Sequence, residues 1–213
     1  MLQDKLQTLK KQIYQNMSKD QTENFDKQVK ELKDNNFADK SLKVGDEIPK
    51  FSLQNAKGET LNISEVLKDG AVIISFYRGG WCPYCNLELR SLQQSLPEFE
   101  KYGAKLIAIS PEKPDNSLST VEKNELKFEV LSDTDNNVAR KFGIVYEFPE
   151  YLENTYNGFG LDLKEHNNSK KIELPIPATY VINQQGVIQY AFAEEDYTLR
   201  ANMEDIIEAL KAL

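Results

Sequence analysis

Cys82 and Cys85 are the only two cysteines in this chain of 213 residues, and only Pro83 and Tyr84 lie between them. A dithiol at that spacing supports redox chemistry, in which one sulfur attacks as a thiolate and its neighbour closes a disulfide. The electrophile is either a peroxide oxygen or a disulfide sulfur. In the first case the attacking sulfur becomes a sulfenic acid that condenses with the second thiol. In the second it forms a mixed disulfide that the second thiol releases. Cys82 reads as the nucleophile and Cys85 as the resolving thiol, and the same pair serves both reactions.

The elements around the dithiol explain why a thiolate forms there. Ala71 to Tyr77 is a continuous apolar run between Gly70 and Gly79-Gly80, the pattern of a fully buried strand. Pro83 to about Glu100 reads as a helix with proline at its first position. Cys82 stands just before the first turn, open to the positive end of the helix dipole and to unpaired N–H groups, which favour the anion. Cys85, one turn inside, is expected to be the more buried thiol. Arg78, four residues before Cys82, is read as a cation that stabilises the thiolate. Trp81 and Tyr84 flank the thiols as hydrophobic cover or as a rim for a reducing partner.

Other candidates carry less. A structural zinc site takes about four ligands, whereas the chain offers two cysteines and a single histidine. His166 reads as a solvated loop residue, so neither metal nor cofactor is expected. Glu88 and Arg90 read as solvated or paired, and Arg200 as half of a surface ion pair.

The net charge of −8 and the isoelectric point near 4.9 argue against nucleic acid or an anionic membrane as partner. A content of 40% hydrophobic and 28% charged residues is that of a globular domain. Met1 to Asp20 has no continuous apolar core and is not read as a signal peptide. Two cysteines do not make a secreted disulfide scaffold, so a cytoplasmic enzyme is expected.

Residues 1–42 read as a helical extension. Leu2, Leu6, Leu9, Ile13 and Met17 form one apolar stripe, and Phe25, Val29 and Leu32 a second, with Ser18 supplying a cap between them. The extension is read as packed on its own domain, with a homodimerisation arm as the alternative. Residues 43–213 read as one α/β domain. A hairpin joins 51–54 to 60–63, strands at 104–110 and 128–131 alternate with helices at 117–126 and 137–142, and a loop fills 111–116. The span 146–169 is read as a long, partly helical insertion. A second hairpin, 178–183 and 187–192, leads to a final amphipathic helix from Ala201.

A strand, a dithiol, a helix, then Ile176-Pro177 entering a strand resembles the thioredoxin superfamily. Lys43-Val44-Gly45-Asp46, Gly103 to Pro111 and Leu131-Ser132-Asp133 are similar to the peroxiredoxin (alkyl hydroperoxide reductase and thiol-specific antioxidant) family. The Cys-Pro-Tyr-Cys tetrapeptide also resembles dithiol glutaredoxins. The resemblance implies a thioredoxin-like fold, a mixed central sheet with helices on both faces. It implies reduction of hydrogen peroxide or alkyl hydroperoxides by Cys82, resolution by Cys85, and recycling by thioredoxin or a glutathione and glutaredoxin system. It also implies a substrate-facing Pro177 in cis. Two positions depart from the family: Gly79 stands where a Thr or Ser orients the peroxide, and Pro177 where an Arg binds it. They keep open a protein thiol–disulfide oxidoreductase with little peroxidase activity, or a dithiol redox sensor.

Overall fold

The computed structural model describes all 213 residues. The apolar run before the cysteines becomes β3 (Val72–Phe76), buried along its whole length. It occupies the interior of a seven-stranded sheet of order β2-β1-β5-β4-β3-β8-β9. The other strands are β1 (Ser52–Asn55), β2 (Thr60–Asn62), β4 (Lys105–Ser110), β5 (Glu129–Ser132), β8 (Ala178–Ile182) and β9 (Ile188–Ala193). Strands β3, β4 and β5 run parallel, while β8 and β1 join them antiparallel, so the sheet is mixed.

Both faces of β3 are covered, which is why it carries no solvent-facing residue. On one face Ser75 and its cross-strand partner Thr179 point to Glu88 of α4 (Pro83–Lys101). On the other, Phe76 and Tyr180 pack around Phe142, which ends α6 (Asn137–Lys141). Each fully buried aliphatic or aromatic side chain in such a layer contributes roughly 1.5–3 kcal/mol. Helix α9 (Met203–Lys211) packs on α4, β8 and β9 through Met203, Ile206 and Leu210.

The N-terminal extension folds back onto this core. Helix α1 (Leu2–Gln15) buries Leu2 and Leu6 and lies on α4, and α2 (Lys19–Asp34) buries Phe25 and lies on α7 (Glu150–Gly158). Ser18 caps α2 in a reciprocal box, its Oγ accepting from the Gln21 N–H while the Gln21 side chain accepts from the Ser18 N–H. The apolar stripes are thus used within the chain.

Three local expectations change. The loop at 111–116 is shorter, because Pro114 opens α5 (Pro114–Asn124) as its first residue. The insertion is more ordered than its sequence suggests: α7 and α8 (Leu163–Asn167) are closed by a small sheet pairing β6 (Val145–Glu147) with β7 (Glu173–Pro175). The second arm of the first hairpin stops at Asn62 instead of residue 63, because the Asn62 side chain caps a short helix, α3 (Ile63–Val66).

Candidate active site

The five residues after β3 set the dithiol in place. The Cys82 N–H donates to the Gly79 carbonyl at 3.1 Å, turning the chain into α4 with Cys82 as N-cap and Pro83 in the first turn. The Asn86 amide donates to the Gly80 and Cys82 carbonyls at 2.7 and 3.0 Å, and the Gly80 N–H donates to the buried Glu112 carboxylate at 2.8 Å. The two glycines are required by crowding. A Cβ on Gly79, at φ +153°, would lie 2.2 Å from the Trp81 indole nitrogen, and one on Gly80 would lie 2.0 Å from Thr120 Oγ1.

Both thiols are free and both belong to the core, Cys82 being 1% exposed and Cys85 fully buried. Cys82 stands at the helix start as expected, yet it is hardly less buried than Cys85. Ile13 of α1 and Phe25 of α2 line the cavity on which it borders. The two sulfurs nevertheless sit in different electrostatic settings. Burial pushes the Cys82 thiol up, but the hydrogen bond from Cys85 and the Arg78 and Arg200 guanidiniums bring it down to about 6. Burial and the neighbouring Cys82 hold Cys85 well above the ordinary thiol range.

Arg200 is 2% exposed and is no surface residue. Its Nε donates to the Glu88 carboxylate, one terminal nitrogen donates to the Tyr197 and Leu199 carbonyls at 2.7 and 2.6 Å, and the other donates to Cys85 Sγ at 3.1 Å. Glu88 is also buried rather than solvated, and burial raises its carboxyl to about 7 against the pull of Arg200. Arg90 lies two residues further along α4 and donates to the Asn124 side chain at 2.9 Å.

Arg78 is 1% exposed and has no carboxylate partner. It donates to the Tyr156 hydroxyl at 2.9 Å, and its guanidinium carbon lies 5.0 Å from the Trp81 ring centre and 4.6 Å from that of Tyr197. The Cys82 anion is therefore flanked by two buried cations, Arg78 and Arg200, of which only Arg200 is paired with a carboxylate.

A cavity of about 440 Å³ opens beside Cys82. The structure brings Arg78, Trp81, Cys82 and Tyr84 together in its lining, joined by Tyr156 and Tyr197. Pro177 is not among them: it is buried, it follows a trans peptide bond, and its carbonyl accepts from the Glu194 N–H at the start of the loop after β9. The expected cis proline is thus absent. His166 lies in α8 instead of a loop, with Nδ1 3.5 Å from Glu112.

Sequence reasoning missed Tyr156 and Tyr197, which frame Arg78, and undervalued Glu88 and Arg200. Glu88 had one available signal, because a carboxylate three residues after Cys85 faces the same side of the helix. Nothing local marks Tyr156, Tyr197 or Arg200.

The AhpC/TSA family matches residues 44–191. Peroxiredoxin Bcp of Escherichia coli K12 is 34% identical over 117 residues, spanning 55% of this chain and 74% of its own. The chloroplastic peroxiredoxin Q of Populus jackii is 25% identical over 165 residues, spanning 78% of this chain and 66% of its own. Among solved structures, peroxidoxin BcpB of Mycobacterium tuberculosis superposes with a TM-score of 0.64 at 20% identity, covering 81% of this chain and 98% of that one. Seven strands in the observed order, a thiol pair at the start of the helix after the central strand, and a match over most of the domain lead to one assignment: the chain is a member of the AhpC/TSA family on a thioredoxin-like fold, with an N-terminal helical extension.

Proposed function

We propose that this protein is a thiol-dependent peroxidase in which Cys82 reduces hydrogen peroxide or alkyl hydroperoxides and Cys85 resolves the product. The Cys82 thiolate attacks the terminal peroxide oxygen, the O–O bond breaks, and the alcohol or water leaves after taking a proton. The sulfenic acid formed on Cys82 is then attacked by Cys85, which gives up its proton as water departs and the disulfide closes. An external dithiol, from thioredoxin or from a glutathione and glutaredoxin system, returns the two electrons. No other cofactor enters the cycle. A cytoplasmic location, and a division into an extension at 1–42 and a catalytic domain at 43–213, belong to the same reading.

The observation that carries it is the state of Cys82: a low-pKa sulfur at a helix start, flanked by two buried guanidiniums and lining a cavity. The cavity beside the buried Cys82 suits a small electrophile at the reduced sulfur. No helix is long and apolar enough to cross a membrane.

Stopped-flow mixing of reduced protein with limiting peroxide tests the proposal, using the fluorescence of Trp81, the only tryptophan. Oxidation far faster than that of a free thiol of similar pKa is expected. A rate no faster than such a thiol, together with rapid insulin reduction, would transfer the protein to the disulfide oxidoreductases.

A further inference from the structure

Part of the apolar wall of the cavity beside Cys82 comes from the N-terminal helices and not from the domain that carries the dithiol. Ile13 of α1, Met17 of the turn after it and Phe25 of α2 line the cavity together with Trp81, Tyr84 and Cys82. Phe159 and Leu161, which follow α7, complete the apolar lining, and Phe159 stays 52% exposed. The extension lies outside the span matched by the family, residues 44–191. It is nonetheless fastened over the site. Lys10 pairs with Asp196 at 3.3 Å, Lys33 with Glu194 at 3.2 Å, and the Tyr151 hydroxyl donates to Glu31 at 2.7 Å.

Size and polarity point to what such a wall is for. A water molecule takes about 30 Å³ of liquid volume, and hydrogen peroxide is only two oxygens. A cavity of about 440 Å³ falls in the roughly 300–1,000 Å³ range of pockets that hold organic molecules. Hydrogen peroxide gains nothing from Ile13, Met17, Phe25 or Phe159, whereas an alkyl or aryl body buries apolar surface against them.

Building on the peroxidase reading, we infer that the N-terminal helical pair is the specificity wall of the site. Ile13, Met17 and Phe25 select hydroperoxides whose O–O group is carried on an apolar alkyl or aryl body. The body lies between these residues and Phe159, and the peroxide end reaches Cys82 beside Arg78. Selection is thereby placed on a segment outside the span that the family matches.

The experiment compares rate constants for oxidation of Cys82 by cumene hydroperoxide and by hydrogen peroxide in wild type, Met17→Glu and Met17→Leu. A carboxylate at position 17 also repels the thiolate, but that slows both oxidants alike, so the ratio is the readout. The ratio of cumene hydroperoxide to hydrogen peroxide is expected to fall about tenfold in Met17→Glu, as expected when an apolar contact in a pocket is lost, and to recover in Met17→Leu. A ratio that stays within twofold of wild type in folded Met17→Glu overturns the inference. Ile13→Glu, at a half-buried position, serves the same purpose if Met17→Glu does not fold. A second arm needs no turnover: titration with 2-phenyl-2-propanol, the alcohol product, followed by Trp81 fluorescence. Saturable quenching that is lost in Met17→Glu supports the wall even if the peroxidase reading itself fails, and absence of quenching in wild type counts against the wall.

Discussion

Arg78 is a buried guanidinium without a carboxylate, and its removal tests the electrostatic account of Cys82 most directly. In Arg78→Met the apolar stem of the side chain is kept, but the guanidinium beside Trp81 and Tyr197 and its charge are gone. No carboxylate is orphaned, so the fold loses the hydrogen bond to Tyr156, about 1 kcal/mol, and the contacts with the Trp81 and Tyr197 rings, about 0.5–2 kcal/mol each. The thiolate is destabilised as well. A unit charge within the roughly 4–6 Å over which an opposite charge shifts a pKa contributes roughly 3–4 kcal/mol at an effective dielectric constant of about 20, and about half of that survives screening and relaxation. At 1.36 kcal/mol per unit, the Cys82 pKa should rise by about 1–2 units. From about 6 in the wild type, the thiolate fraction at pH 7 falls from about 90% to between about 50% and 10%. Alkylation by iodoacetamide under pseudo-first-order conditions, with Cys85 replaced by Ser in both proteins, gives the midpoint of the Cys82 titration. A midpoint that moves by less than 0.3 unit would refute the assignment of Arg78 as a thiolate-stabilising cation.

Other expected outcomes follow from the same geometry. In the wild-type protein, alkylation of Cys82 should rise with pH through a midpoint near 6, because the folded state lowers this thiol, and a midpoint at 8 or above counts against the hydrogen bond from Cys85 and both arginines together. By linkage, the stability this group contributes is fully present above the unfolded thiol pKa of about 8.5 and is lost as pH falls through the folded value. Arg200→Leu should cost about 3–5 kcal/mol in urea unfolding, because it leaves the buried Glu88 carboxylate unpaired; Arg200→Leu with Glu88→Leu should regain most of it. Cys85→Ser should trap a sulfenic acid on Cys82 that dimedone labels, and label found on Cys85 in Cys82→Ser at a comparable rate reverses the two roles. Gly80→Ala should destabilise the loop before α4 because its Cβ meets Thr120 Oγ1, and Thr120→Ala should restore part of the loss in thermal unfolding.

The dithiol, its helix and the strand before it were legible because each is a local pattern. An unbroken apolar run must be buried on both faces, and a proline after the first cysteine starts a helix wherever the chain goes next. The two hairpins and the alternation of strand and helix were readable on the same grounds. The cis proline was not: Pro177 came from resemblance alone, and here it lies in trans away from the cavity. Arg200 shows the other kind of failure. As an arginine in a charged segment it reads as solvated, and only the return of the chain after β9 brings it to Cys85, 115 positions earlier.

What the sequence alone determined was the reacting pair and the element that carries it, since a thiol at a helix start needs only its immediate neighbours. What the tertiary structure decided was the environment of that pair. Arg78 and Arg200 are both buried, but only Arg200 has a carboxylate partner, and the cavity wall from α1 and α2 closes over Cys82 from residues more than fifty positions away. Charge compensation and apolar volume depend on distances in space, and no spacing along the chain encodes them.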